Sequence, residues 1–229
     1  MKPTITKTSM IVGALALALS ASTNVALAQS AYPPAKLLAA HWWQWALAEP
    51  TLDNPLLDTT GQFAALNQQG RVWFVAGSLS SKPITRTFTV PAGKALFFPI
   101  VNVFDVEDGI AAGGQFVFPP ATHPIPQPVQ TAQGIVSSII AAATGLSCEV
   151  DGVPLQINAA NLEQSTPFST FLPADNIVRV PAGVYFPFVD SGYYVLLAPL
   201  STGFHTIHFA GTINAFPLTV DVTDNITVQ

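Results

Sequence analysis

Charge is scarce in this chain. Only 9% of its residues are Asp, Glu, Lys or Arg, where soluble domains usually carry about a quarter. The 8 basic residues are outnumbered by 13 acidic ones, which excludes the basic stripe that holds nucleic acid. Cysteine occurs once, at Cys148, so no internal disulfide can form. With Leu146 and Val150 beside it, that thiol is expected in the interior rather than as a reactive group. A glycine-rich phosphate loop is missing, Gly113-Gly114 reading as a turn. So is the G-x-S-x-G elbow of a serine hydrolase. No apolar run after the first 28 residues is long enough to span a bilayer as a helix. Solubility must therefore rest on Ser, Thr, Asn and Gln.

The N-terminus carries an address. Lys2 and Lys7 precede the short apolar run from Met10 to Leu19, and Ala26-Leu27-Ala28 offers a small-x-small cleavage site. Residues 1–28 are expected to be a signal peptide, and 29–229 a single exported domain, periplasmic or secreted. Roughly 200 residues suffice for one sizeable core and not for two. Loss of Lys2 and Lys7 makes that domain more acidic than the −5 of the whole chain.

The stretch TFTVPAGKALFFPIVN, from Thr87 to Asn102, organises the rest. It reads as an alternating strand, a turn at Pro91-Ala92-Gly93, and a strand apolar on both faces. Pro99 within it predicts a bulge. VPAGVYFPFVD, from Val180 to Asp190, echoes it and predicts a sandwich built from two similar halves. Around these, AKLLAAHWWQWALA (35–48) has helical spacing and is stopped by Pro50. Residues 129–143 form a second, weaker helical pattern. Strands are expected at 71–77, 83–90, 94–101, 113–120, 176–188, 193–199, 204–211 and 216–228. The segment 147–157 reads as a hairpin turning on Asp151-Gly152. In 83–90 the apolar side contains Arg86, which demands an acidic partner or an edge position. The whole pattern is that of a mainly β protein, an antiparallel β-sandwich or jelly roll with an N-terminal and an inserted helix.

GRVWFVAGS, TVPAGKALFFPIVN, DGVPL and GYYVLLAPLSTGFHTIHFAG together resemble a family of exported bacterial β-sandwich proteins. The resemblance covers most of the chain from Trp42 onward. It implies export and a mostly-β domain, and it implies no activity. PLSTGFHTIHFAG is also similar to the closing hairpin of immunoglobulin-like bacterial surface domains. The PAG turn resembles a cupin motif, but Leu96 stands where that motif's metal histidine is expected, which removes the reason to expect a cupin metal.

The polar residues able to carry chemistry are dispersed. His205 and His208 are three apart on a strand and point to opposite faces, so they cannot share an ion without a bulge. His41 lies beside the tryptophans and His123 in the Pro-rich loop. Asp105, Glu107 and Asp108 group three carboxylates in one loop, where oxygen ligands could hold Ca²⁺, though the spacing is not that of an EF-hand. No other cofactor is implied. Trp42 and Trp45 share a helix face that should pack inward, whereas Trp43, about 100° away, is expected to be exposed. Trp43 and Tyr185 then offer aromatic surface for a glycan.

These residues read together as an exported binding or structural protein. Its ligand, a glycan, another surface polymer or a protein, would meet Trp43, Asp105, Glu107, Asp108 and Tyr185. The rival is a hydrolase or isomerase with Asp105, Glu107 and a histidine as acid and base on a concave sheet face. An outer-membrane barrel fits the two helices and the doubly apolar strand poorly.

Overall fold

The computed structural model describes residues 32–80, 82–106, 110–111, 115–116, 129–215 and 218–229. The expected signal peptide, Glu107, Asp108 and His123 lie outside the described residues, as does most of the expected strand at 113–120. Two helices are present, α1 (Ala35–Ala48) and α2 (Val129–Ala141). The strands are β1 (Val72–Phe74), β2 (Ile84–Val90), β3 (Ala95–Val106), β4 (Ile110–Ala111), β5 (Gln115–Phe116) and β6 (Ala143–Val150). They continue with β7 (Val153–Pro154), β8 (Leu162–Gln164), β9 (Phe168–Leu172), β10 (Gly183–Leu197), β11 (Gly203–Ile213) and β12 (Leu218–Val228).

The chain is mainly β, a two-sheet sandwich with two helices. The first sheet runs β1-β3-β10, and β8 and β9 share the far edge of β10. The second runs β2-β12-β11-β6-β7. Most pairs are antiparallel, but β1 lies parallel to β3 and β2 parallel to β12. Both parallel pairs are made by strands that enter at an edge. β4 and β5 form a separate two-stranded ladder.

The spine is the antiparallel pair β3–β10. Residues 95–101 of β3 are buried without a break, as an unbroken apolar run demands. Leu96, Phe98 and Val195 face the second sheet and pack with Ile207, Phe209 and Val222; Phe98 meets Phe209 at 5.0 Å between ring centroids. The opposite face carries Phe97 stacked on Tyr194 at 5.1 Å. It also carries Phe104, which meets Trp43 of α1 edge-on at 4.7 Å. Pro99 does sit in a bulge: Tyr193 pairs with Val101 and Tyr194 with Pro99, leaving Ile100 unmatched. The extra residue lets the α1-facing set pass from Phe97 to Asn102 and Phe104.

The helices take different sides. α1 packs on the outer face of the first sheet. α2 enters from the inner side, where Ala132 and Val136 cover Val189 and Ile140 reaches the core between the sheets. No described helix is long and apolar enough to cross a membrane.

The two PAG corners are not equivalent, which corrects the expectation of two similar halves. Pro91-Ala92-Gly93 carries the chain from β2 in the second sheet to β3 in the first. Gly93 adopts φ +82° there, a conformation glycine takes at little steric cost. The second corner instead leads from β9 to β10 within one sheet. The segment before it, 173–182, has no strand. The second strands of the two motifs are in fact each other's partners. Likewise the second arm of 176–188 and the strand expected at 193–199 are not separate, because β10 runs unbroken from Gly183 to Leu197. Asp151-Gly152 forms the β6–β7 turn, both residues with positive φ.

Arg86 meets both of its expectations. β2 is an edge strand, and Asp224 of β12 accepts from Arg86 Nε at 2.7 Å and Nη2 at 2.9 Å. Two more guanidinium protons go to the carbonyls of Ala76 and Gly77. Burial pushes the Asp224 carboxyl upward, and the guanidinium opposes it. Both side chains are buried, so the pair ties β12, β2 and the segment after β1 across a dry interior.

Replacing Arg86 with Met should strand the Asp224 charge and cost about 3–5 kcal/mol in a urea melt. The double variant Arg86→Met, Asp224→Leu should recover most of that loss. Equal loss in both variants would mean that packing, rather than the unpaired charge, sets the cost.

Candidate functional site

Structure redistributes the residues that sequence marked. Trp43 is not a surface aromatic: it is only 6% exposed, held edge-on between Trp42 at 4.9 Å and Phe104 at 4.7 Å. A helix buries more than a narrow stripe when it lies on a broad aromatic sheet face, and all three of its tryptophans are taken up. Trp42 Nε1 donates to Val75 O at 2.9 Å and Trp45 Nε1 to Leu66 O at 2.8 Å. Asp105 is half-buried on β3 opposite Val189, and burial raises its pKa. Tyr185 is on β10, its hydroxyl donating to Pro181 O at 2.7 Å. Among the described residues no three His, Cys, Asp or Glu side chains group as metal ligands.

The three described histidines do not join Asp105. His41 is exposed on α1. His205 and His208 belong to β11 in the other sheet, each with its own acid. His208 Nε2 is 3.0 Å from Asp221 Oδ1. His205 Nδ1 is 2.8 Å from Asp151 Oδ2, and its Nε2 is 3.3 Å from Ser201 Oγ. This Ser–His–Asp order has the outline of a hydrolase triad. Its hydrogen bonds say otherwise. Nε2 is 2.9 Å from the carbonyl oxygen of Ser201, which can only accept, so Nε2 must carry a proton. Nδ1 donates to Asp151. A ring donating from both nitrogens is an imidazolium and has no lone pair with which to activate Ser201. Asp151 raises the His205 pKa, with Ser201 O adding to it, and the cluster acts as a clamp between two turns.

Sequence reasoning passed over two features. Asp190 and Tyr194 of β10 are buried on the α1-facing side. Tyr194 Oη donates to Asp190 Oδ2 at 2.8 Å and accepts from Asn102 Nδ2 at 3.0 Å. Gly192 makes this possible: a Cβ there would stand 2.5 Å from Asn102 Cβ and 2.9 Å from Val101 O. An Asp and a Tyr four apart in a strand share a face, so the signal existed. The second feature is a strip of apolar side chains in the open. Phe171 of β9 faces Val184 of β10, and Phe186 follows two residues on. They are 54%, 69% and 59% exposed. The other large exposed apolar residues, such as Leu52 and Phe204, belong to separate parts of the chain.

Cys148 is inert as expected: it is buried, and burial pushes its thiol up to about 12.

No family model matches this chain, and no curated protein matches it. Two solved structures do. One is described as PbICP-C in complex with falcipain-2; it matches at 12% identity over 70% of this chain and 100% of that one, with a TM-score of 0.22. The other is the solution structure of Amebosin, at 12% identity over 64% of this chain and 96% of that one, with a TM-score of 0.17. Likeness this low carries no argument.

The clamp has a measurable signature. A histidine whose folded pKa is raised contributes stability at pH below its ordinary value of 6.5, and loses it as pH rises through the folded value. The His205 ring should titrate above 6.5 by NMR, and Asp151→Asn should bring its midpoint down. A midpoint at or below the ordinary value in the parent would contradict the doubly donating ring.

Proposed function

We propose that this is an exported binding module that takes a neutral glycan polymer on an open surface. The observation that carries this reading is the strip formed by Phe171, Val184 and Phe186. Phe171 and Val184 face each other across the β9–β10 ladder, Phe186 follows where the register shifts, and all three side chains stay out of the core. Exposed apolar side chains that cluster in this way mark a recognition surface more often than scattered ones do. Aromatic faces on a rigid sheet suit the flat apolar faces of sugar rings, which stack without needing charge.

The rest of the surface supports the same ligand class. Charge is scarce and net acidic, which disfavours polyanions such as nucleic acid. Export rests on the pattern of residues 1–28 described above, and would place the domain where surface polymers are. Trp43 drops out of the reading because it is buried, and Tyr185, paired with Thr170, points to the other face of the ladder from Val184 and Phe171.

The test is retention of the purified domain on insoluble polysaccharides. Aromatic contacts are worth about 0.5–1.5 kcal/mol each, so Phe171→Ser with Phe186→Ser should lower retention about tenfold. The melting temperature should stay within a few degrees, since both side chains are largely exposed. Unchanged retention would overturn the reading. So would a parent that binds no polymer and sediments as a dimer that the double variant dissociates, which would make the strip a protein contact instead.

A further inference from the structure

We propose that the seam between α1 and the first sheet is a proton-operated latch: Asp190 holds a proton while α1 is docked, and losing it loosens the docking. This lies outside the glycan reading, since it concerns the opposite face of the sheet.

The fold treats its two most buried carboxylates differently. Asp224 and Asp190 are both 0% exposed. Asp224 is met by a bidentate guanidinium and is built to be charged. Asp190 faces no cation among the described residues. From β10 it meets the Tyr194 hydroxyl at 2.8 Å, which is itself held by Asn102 of β3. From α1 it meets the Trp43 indole, whose N–H is close enough to favour the anion. That N–H nonetheless makes no hydrogen bond, and Asp190 Oδ1 has no partner among the described residues. After β8, Ser165 Oγ accepts from the Asp190 backbone N–H at 2.9 Å and leaves the carboxylate unaided. Glu163 of β8 is a like charge that pushes Asp190 further toward its neutral form, with Lys36 of α1 acting on Glu163. A carboxylate so placed would have one hydrogen bond where it needs several, whereas a neutral carboxyl needs few.

Burial raises the Asp190 pKa to about 7, against the pull of Tyr194 and Trp43. The sign follows. The folded value lies above the unfolded 3.8, so the neutral acid's contribution is complete below about 3.8 and is lost as pH rises through about 7. Other ties to α1 remain, among them Gln44 Nε2 to Ser169 O at 2.7 Å, Trp42 Nε1 to Val75 O, Trp45 Nε1 to Leu66 O and the attraction of Lys36 for Glu163. They keep the helix in place, so ionisation loosens the seam without detaching it. A domain in an exterior compartment meets this pH range, and the seam would be tightest in acid.

The experiment compares the parent, Asp190→Asn and Trp43→Phe from pH 5 to pH 8, by melting temperature and by amide exchange of α1. The parent should melt lower at pH 8, by about 5 °C or more, and its α1 amides should exchange at least several-fold faster once intrinsic rates are divided out. Asp190→Asn should flatten both profiles, leaving the slope due to His205, Glu163 and Asp105. Trp43→Phe removes a donor that favours the anion and should move the midpoint upward. An infrared carboxylic-acid band present in the parent at pH 5 and absent from Asp190→Asn gives a direct reading if that variant's melt is weak. The proposal is overturned if the parent's profile is flat, if Asp190→Asn keeps the parent's slope, if Trp43→Phe moves the midpoint downward, or if the band is absent.

Discussion

The structure depends on a pair of strands that must be dry on both faces. β3 and β10 pair antiparallel from Leu96–Leu197 to Val106–Phe188. Neither can form alone, because each would expose its apolar face to water. One face requires the second sheet and the other requires α1. Burying a large apolar side chain is worth about 1.5–3 kcal/mol, and the faces of this pair carry Leu96, Phe97, Phe98, Phe188, Val195 and Tyr194. The inter-sheet turn at Gly93, the bulge at Ile100 and the close approach at Gly192 are local adjustments that let both faces be covered at once.

Polar groups are fitted into this arrangement in two ways. Some are paired so fully that they act as struts. Arg86 and Asp224 stitch β2 to β12, and the Gln68 side chain closes the open edge of β1 by donating to Phe74 O and accepting from Phe74 N–H. Asp58 is another: burial alone would raise its pKa, but hydrogen bonds from Phe63, Thr60 and Gly61 bring it below its ordinary value. Asp190 is handled differently, with a hydrogen bond from Tyr194, the approach of the Trp43 N–H, and no cation beside it among the described residues. That contrast within a single core separates the charged strut from the proton holder. Among the described residues Asp105, His205 and Asp190 occupy different places, His205 being held between Ser201 and Asp151.

Much of the fold was legible because periodicity and turn chemistry are local. The helix at 35–48, the alternation of β2, the doubly apolar β3, the Pro99 bulge and the Asp151-Gly152 turn each follow from a few neighbouring residues. Arg86 was legible as a question, since an arginine at an inward position must find an acid. Asp224 could have answered it, lying two residues beyond the inward series Leu218, Val220 and Val222. The candidate site was less legible. Trp43 was placed outside by helical geometry, but a helix lying on an aromatic sheet face buries side chains well beyond one stripe. β8 and β9, three and five residues long, carry too little pattern to stand out. With them went the exposed strip, since Phe171 acquires meaning only when Val184 is known to lie opposite.

By itself, then, the chain's order of residues determined the two helices, the longer strands and most of their inward positions, because side-chain period and backbone turns are settled within a few residues. Only the tertiary structure decided which strands are partners. It made the two PAG corners unlike, one an arch between sheets and one a turn within a sheet, and it placed Asp190 under Trp43 and Phe171 beside Val184. Those choices depend on covering two apolar faces of one strand pair at the same time, a condition on the whole chain that no short stretch of it contains.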